Sequence, residues 1–124
     1  GRCAAKLDDV VNYIPARISA WLMILASGCE RMNWKNAEKI YKRDRYCHAS
    51  PNSAQTEAVM AGALEVQLAG DAVYFGKVVK KPTIGDDIRP VEAEDIKRAN
   101  HLMYLTSFLG LVFFAGIRAI FLFL

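Results

Sequence analysis

Two apolar stretches of unequal strength flank a charged middle in this sequence. Residues 102–124 hold one charged side chain, Arg118, among fourteen Leu, Ile, Val and Phe residues. On an insertion scale those apolar residues contribute about −6 kcal/mol, which exceeds the cost of about +3 kcal/mol for one arginine. The stretch is also long enough to cross a bilayer as a helix. We therefore predict that residues 102–124 span a membrane, within a helix that covers residues 92–124.

The stretch at residues 10–29 is apolar too, but less so. Its seven Leu, Ile and Val residues contribute about −3 kcal/mol, and Arg17 alone offsets that gain. Pro15 lacks the amide hydrogen that a helix interior needs, so it should break or kink any helix that contains it. The sequence predicts a kinked, membrane-associated helix, which either spans the bilayer or re-enters and lines a cavity.

The middle region, residues 30–98, holds twelve Lys and Arg against eleven Asp and Glu, so it is polar and nearly neutral. Basic residues gather beside both apolar stretches, which favours a cytoplasmic location for this region. Residues 36–45 predict a short surface helix. Residues 72–79 are rich in Val, Tyr and Phe around a glycine and predict a small β-hairpin or an extended loop.

A further helix is predicted to begin at Asn52 or Ser53 and to continue to about Leu68, with Gly70 ending it. Asn52 and Gln55 have the spacing of a capping box, in which two side chains satisfy free amides of the first turn.

Small residues are frequent along this helix, and Ala58 and Gly62 are two of them. Side chains of this size allow another backbone to approach closely, so we expect a tight contact there. The predicted fold class is thus mainly α: an integral membrane helical protein with a polar helical region between two apolar segments. Residues 1–124 are expected to form a single portion of such a protein.

Composition excludes several classes of function. The net charge of +3 is too mild to indicate a nucleic-acid partner. Three cysteines at positions 3, 29 and 47 are far apart and odd in number, so they indicate no disulfide framework. No zinc or haem site is expected, because no paired ligands with metal spacing occur.

Polar residues at two places could carry chemistry. Asp8 and Asp9 are adjacent acids, and paired carboxylates can hold Mg²⁺ together with substrate phosphates; an exposed helix start is the simpler reading. Ser50, Asn52 and Ser53 precede or begin a helix, where free amides favour phosphate; an ordinary cap is the simpler reading.

Three further residues are ambiguous alone. His48 could act as an acid or base near neutral pH. Glu57 lies one turn into the helix that follows, and Lys77 lies in a Tyr-Phe-Gly-Lys turn.

Two long motifs are more specific than any single residue. Residues 6–17, Lys-Leu-Asp-Asp-Val-Val-Asn-Tyr-Ile-Pro-Ala-Arg, resemble the LDD-x-x-N-x-x-PAR signature of the adenosylcobinamide-phosphate synthase family. Residues 50–64, which begin Ser-Pro-Asn-Ser and end Ala-Gly-Ala-Leu, resemble the SPN…AGAL signature of that family. The Lys-Pro-Thr-Ile-Gly-Asp loop at 81–86 and the final apolar helix follow in the order of the family. The family's amino-terminal membrane helices are absent, so the chain resembles its carboxy-terminal portion.

The resemblance implies an ATP-dependent amide ligase of the cell membrane, multi-pass at full length and packed against those missing helices and membrane lipid. It would join the corrinoid adenosylcobyric acid to aminopropanol phosphate or a related amino alcohol. On this basis Asp8 and Asp9 are assigned to Mg²⁺, and His48 or Glu57 to the proton of the amine. The residues expected to bind substrate are Asn12, Arg17, Ser50, Asn52, Ser53, Tyr74 and Lys77.

The motifs at residues 6–17 and 50–64 are expected to form one site, because neither alone supplies both metal ligands and phosphate donors. Two alternatives stay open at this stage. One is a non-catalytic membrane paralogue, and the other is a membrane-anchored interaction or regulatory domain.

Overall fold

The computed structural model describes residues 1–124, which form four helices and two small β-ladders. The elements in chain order are α1 (Arg2–Cys29), α2 (Trp34–Asp44), α3 (Ser53–Leu64), β1 (Leu68–Ala69), β2 (Ala72–Tyr74), β3 (Lys77–Val79), β4 (Thr83–Ile84) and α4 (Glu94–Phe123). The chain is mainly α, as predicted.

Helix α1 begins earlier than predicted and runs through Pro15 without a break. The proline removes only the hydrogen bond that its missing amide would donate, and helices on either side of it persist when packing supports them. Two side chains add hydrogen bonds nearby: Asn12 donates to the carbonyl of Asp8 at 3.0 Å, and Arg17 to that of Tyr13 at 2.8 Å. The prediction of a helix starting at residue 10 is therefore wrong, and both acids of the first motif lie inside α1.

Both α1 and α4 are long and apolar enough to cross a membrane, by length and composition. They differ in how much protein covers them: 22% of the apolar window of α1 is buried, and none of that of α4. The apolar window of α4 is therefore the one left open to lipid or another helix, although Leu102 near the start of the helix is buried in the core.

The main core lies where the four helices meet. Small residues of α1 allow this close packing, because alanine side chains keep the helix axes near one another. Its buried members are Ala20, Met23, Ala26, Ala37, Tyr41, Val59, Ala63 and Leu102. A second cluster joins α2 and α3 to β4 and consists of Ile40, Ala54, Ala58, Ala61 and Ile84.

Helices α2 and α3 touch backbone to backbone at Gly62. A Cβ atom placed on Gly62 would lie 2.6 Å from Cα of Ala37 and 2.7 Å from the carbonyl oxygen of Asn36. The side-chain amide of Asn36 also donates to the carbonyl of Gly62 at 2.8 Å. The predicted close approach at Gly62 is confirmed, and Ala58 is fully buried on the same helix.

Helix α3 ends at Leu64, four residues before the predicted end. Glu65 adopts the left-handed conformation, with φ of 61°, and so stops the helix. The chain then enters a ladder in which Leu68 pairs with Ile84, so Gly70 lies beyond β1 and does not end α3.

The start of α3 also differs from the prediction. Asn52 precedes the helix but its side chain forms no cap. The side-chain amide of Gln55 instead donates to the carbonyls of Arg45 and Pro51, at 3.3 and 3.1 Å. The predicted capping box is therefore absent.

The remaining predicted elements are present with shifted ends. Helix α2 begins at Trp34 because the side chain of Asn33 accepts a hydrogen bond of 3.0 Å from the amide of Asn36. The predicted hairpin is confirmed as β2 and β3. Its turn residues Phe75 and Gly76 have φ of 51° and 76°, as expected for a tight hairpin turn.

A buried carboxylate holds the loop after the hairpin. Asp44, at the end of α2, accepts a hydrogen bond of 2.8 Å from the amide of Gly85. The side chain of Arg43 also donates to Asp44, and this hydrogen bond holds the pKa of the carboxyl below its ordinary value. The loop at residues 80–85 is thus attached to α2.

Candidate functional site

The two sequence motifs meet at Asp9. The hydroxyl of Ser50 donates to Oδ1 of Asp9 at 2.9 Å, and the side-chain amide of Asn52 donates to the main-chain carbonyl of Asp9 at 2.8 Å. Helix α3 packs along α1 and brings its first residues to this point. The loop before α3 and the first half of α1 therefore form one polar cluster, and its use as a single functional site stays a prediction.

Arg17 binds the side-chain oxygen of Asn52, whose amide group binds Asp9. Its guanidinium donates to Oδ1 of Asn52 at 3.1 Å and to the hydroxyl of Tyr46 at 3.3 Å. The guanidinium also lies 3.5 Å from the centroid of the Tyr13 ring, which is a cation–π contact. The hydrogen bond from Arg17 lowers the pKa of Tyr46 below its ordinary value. Asn52 thus links Asp9 to Arg17, which explains why its side chain does not cap α3.

His48 and Glu57 form a pair beside this cluster. Nε2 of His48 lies 2.7 Å from Oε2 of Glu57, and about a quarter to a third of each side chain is exposed. The carboxylate fixes the orientation of the ring and leaves Nδ1 without a partner in the protein. Such a pair can accept a proton from a bound group.

A cavity of about 390 Å³ joins the pair to the cluster. It is lined by Cys47, His48, Ala49, Ser50, Ser53, Lys81 and Pro82. Burial raises the pKa of the Cys47 thiol, so the thiol stays protonated near neutral pH and is a poor nucleophile or metal ligand.

The cation in this cavity is Lys81, which was not among the predicted residues. The ammonium of Lys81 donates to the hydroxyl of Tyr74 at 3.2 Å and lies 4.9 Å from the centre of its ring. Lys77 begins β3 opposite Tyr74 and does not line the cavity. Tyr74 therefore reaches the site through Lys81, and a substrate-binding role for Lys77 stays a prediction.

The two acids of the first motif point in different directions. Neighbouring residues of an α-helix are about 100° apart around its axis. Asp9 faces the loop before α3, whereas Oδ1 of Asp8 accepts a hydrogen bond of 2.8 Å from Asn12 on α1 itself. No group of three or more His, Cys, Asp or Glu side chains gathers as a metal site. An Mg²⁺ ion would fit only with one or two of these carboxylates and phosphate oxygens as its ligands.

Two residues of the site were missed from the sequence. Tyr46 gave no signal, because an exposed tyrosine in a loop is common. Lys81 stood in the Lys-Pro-Thr-Ile-Gly-Asp loop noted above, so its motif was visible although its role was not. Only the fold shows that this loop returns to His48.

A family model and similar known proteins indicate the same family for this chain. The family model described as CobD/Cbib protein matches residues 1–103. The cobalamin biosynthesis protein CobD of Clostridium perfringens is 53% identical over 120 residues, which cover 97% of this chain and 38% of that protein. CobD of Streptococcus sanguinis is 52% identical over 92% of this chain and 36% of its own length.

The cobalamin biosynthesis protein CbiB of Salmonella paratyphi B is 47% identical over 118 residues, 95% of this chain and 37% of that protein. The chain thus spans less than two fifths of these relatives and matches their carboxy-terminal portion. No solved structure matches it. The family model covers most of the chain, and the chain therefore belongs to the CobD/CbiB protein family.

Proposed function

We propose that this chain is the carboxy-terminal portion of an ATP-dependent amide ligase of cobalamin biosynthesis. The reaction joins the free carboxylate of adenosylcobyric acid to the amine of aminopropanol phosphate or a related amino alcohol. The names of the relatives support the pathway. The resemblance of residues 6–17 and 50–64 to the adenosylcobinamide-phosphate synthase signatures supports the reaction.

The observation that carries the proposal is the meeting of two motifs at Asp9. The hydrogen bond of 2.9 Å from Ser50 brings a carboxylate of α1 beside a cavity that also contains His48. A site for amide formation needs groups that hold phosphate, groups that hold a carboxylate and a base for the amine. Ser50 connects these groups, because it bonds to Asp9 and lines the same cavity as His48 and Lys81.

The roles follow from the chemistry of amide formation. With the carboxylate activated as an acyl phosphate, attack of the amine forms the carbon–nitrogen bond and breaks the bond from the carbonyl carbon to the phosphate oxygen. Phosphate leaves, and the amine loses a proton. The pair of His48 and Glu57 would accept that proton, because His48 lines the cavity and its Nε2 is held by Glu57. Arg17 and Asn52 would bind oxygen atoms of the substrate in a fixed orientation.

Asp9, and Asp8 if its bond to Asn12 opens, would hold Mg²⁺ through their unoccupied carboxylate oxygens. The ion would offset phosphate charge during phosphoryl transfer. ATP and the corrinoid are cytoplasmic compounds, so the cluster and residues 30–98 are assigned to the cytoplasmic side of a multi-pass protein of the cell membrane. Helix α4 would anchor them there.

The test is ATP-dependent conversion of adenosylcobyric acid by the full-length protein in membranes. Product is expected only when ATP, Mg²⁺ and the amino alcohol phosphate are all present. A non-catalytic paralogue would form none, although it would bind the corrinoid. A membrane-anchored interaction domain would neither bind the corrinoid nor form product.

A further inference from the structure

We infer that Lys81 binds a phosphate group of a substrate in the cavity beside His48 and Ser50, and that Tyr74 positions its ammonium. The inference rests on the proposed function and adds a residue that the motifs did not assign. It concerns the cavity lined by residues 47–50, Ser53, Lys81 and Pro82.

The charge of Lys81 is not neutralised within the protein. Its ammonium forms no ion pair with any Asp or Glu, although salt bridges occur at six other basic residues. Its hydrogen bond of 3.2 Å goes to the neutral hydroxyl of Tyr74. An ammonium has three donor hydrogens, so two remain for a ligand. Lys81 is also the only Lys or Arg that lines the cavity.

The surrounding chain holds Lys81 at this place. Its main-chain amide donates to the side chain of Asp71 at 3.1 Å, and Gly85 is attached to Asp44 four residues later. The ring of Tyr74 lies under the ammonium at 4.9 Å. The ammonium is thus oriented before any ligand arrives, which reduces the entropy lost on binding.

The other polar groups of the cavity suit a phosphate. The hydroxyl of Ser53 makes only a long contact of 3.5 Å to the carbonyl of Ser50, so it can turn to donate to a phosphate oxygen. No acidic side chain lines the cavity. A phosphate bound there would lie beside His48, the residue proposed to take the proton of the amine. Both the amino alcohol phosphate and ATP carry such a group, and the experiment separates them.

The experiment measures KM for amino alcohol phosphate, ATP and adenosylcobyric acid with the full-length protein in membranes. Lys81→Met is expected to raise KM about tenfold or more for one of the two phosphate compounds, as for loss of a charge-assisted hydrogen bond. KM for adenosylcobyric acid should stay within about twofold, since this compound has no phosphate to contact Lys81. Lys81→Arg should restore part of the affinity.

Lys80→Met is the matched control, because it removes the same charge from an exposed neighbour that does not line the cavity. The compound whose KM rises in Lys81→Met, either the amino alcohol phosphate or ATP, is the one whose phosphate group contacts Lys81. Unchanged KM values for both, or an equal rise with Lys80→Met, would overturn the inference. Tyr74→Phe keeps the ring but not the hydroxyl, so it should raise the same KM by a smaller factor without changing kcat.

If Lys81→Met forms no product, KM cannot be measured. Equilibrium dialysis with the purified full-length protein then measures the binding of amino alcohol phosphate and of ATP directly. Loss of binding for one compound supports the inference, and unaltered binding for both refutes it. A wild-type protein that forms no amide product contradicts the proposed function instead. The dialysis result then still decides whether Lys81 binds phosphate.

Discussion

The hydroxyl of Ser50 donates to the carboxylate of Asp9 at 2.9 Å across 41 residues of sequence. The pair joins the first half of a long helix to the loop before another helix. Neither residue needs the other for its local conformation, since Asp9 is inside α1 and Ser50 is in a turn. Their contact therefore depends on how α1 and α3 pack, and it fixes the geometry of the proposed site.

Replacing Asp9 should impair turnover more than replacing Asp8. Asp9→Asn keeps the size of the side chain but removes the charge that faces Ser50, and we expect kcat to fall about tenfold or more. Asp8→Asn is the comparison variant, and a smaller loss is expected from it because the side chain of Asp8 already bonds to Asn12 within α1. Turnover per mole of protein, with abundance measured by immunoblot, checks this. Equal losses in the two variants would contradict the assignment of Asp9.

Enlarging Gly62 should destabilise the protein. Even one methyl group would meet the backbone of Ala37 at 2.6 Å, so Gly62→Ala is expected to cost about 1–3 kcal/mol by overpacking. Gly116→Ala on α4 is the control, because no atom lies within 4 Å of the added group. Thermal unfolding in detergent compares the two variants. An unchanged midpoint for Gly62→Ala would show that α2 and α3 can move apart at Gly62 without loss of stability.

Stability should fall in acid because of two carboxylates. Hydrogen bonds from Arg43 to Asp44 and from Arg89 to Asp95 hold both pKa values below their ordinary range. The folded state therefore binds fewer protons than the unfolded state near pH 4, and this stabilisation, complete above about pH 5, is lost as the pH falls. Asp44→Asn should weaken the dependence. The check is the midpoint of thermal unfolding of the wild-type protein and of Asp44→Asn, measured from pH 7 to pH 3. An equal decline in the two proteins would show that Asp44 does not contribute to the loss of stability in acid.

Residues 102–124 should remain in the membrane under alkaline conditions. The apolar window of α4 has no buried residues, so only lipid or other helices can cover it. We expect the full-length protein to stay in the pellet after carbonate extraction, while a peripheral protein in the same membranes is released. Quantitative release of the protein without detergent would show that α4 does not span.

The sequence predicted the helices and the hairpin because their patterns are local. It did not predict the length of α1, since the predicted helix began with the apolar run at Val10, whereas α1 extends back through the two acids of the first motif to Arg2. It also placed the end of α3 too late, because the ladder between Leu68 and Ile84 forms only when distant residues meet.

The same holds for the site: its local motifs were visible in the sequence, but the contacts between distant residues were not. The motifs identified Asp9, Ser50 and Asn52, but the spacing of Asn52 and Gln55 suggested a cap that the fold does not use. An asparagine side chain has one carbonyl oxygen and one amide group, and here both are engaged by α1. Lys81 was overlooked for a related reason, because its partners come from elements far from it in sequence.

The hydrogen bond from Gly85 to Asp44 marks a boundary between parts of the chain that should differ in the rate of amide hydrogen exchange. The hairpin before it is open to solvent, with Phe75 at its tip fully exposed. Segments with few buried contacts open locally at low free energy, whereas core amides exchange only in rare large openings. Amide hydrogens of β2 and β3 should therefore exchange quickly and that of Gly85 slowly. Lys81 lies at the boundary between these two parts of the chain, between β3 and the attachment at Gly85.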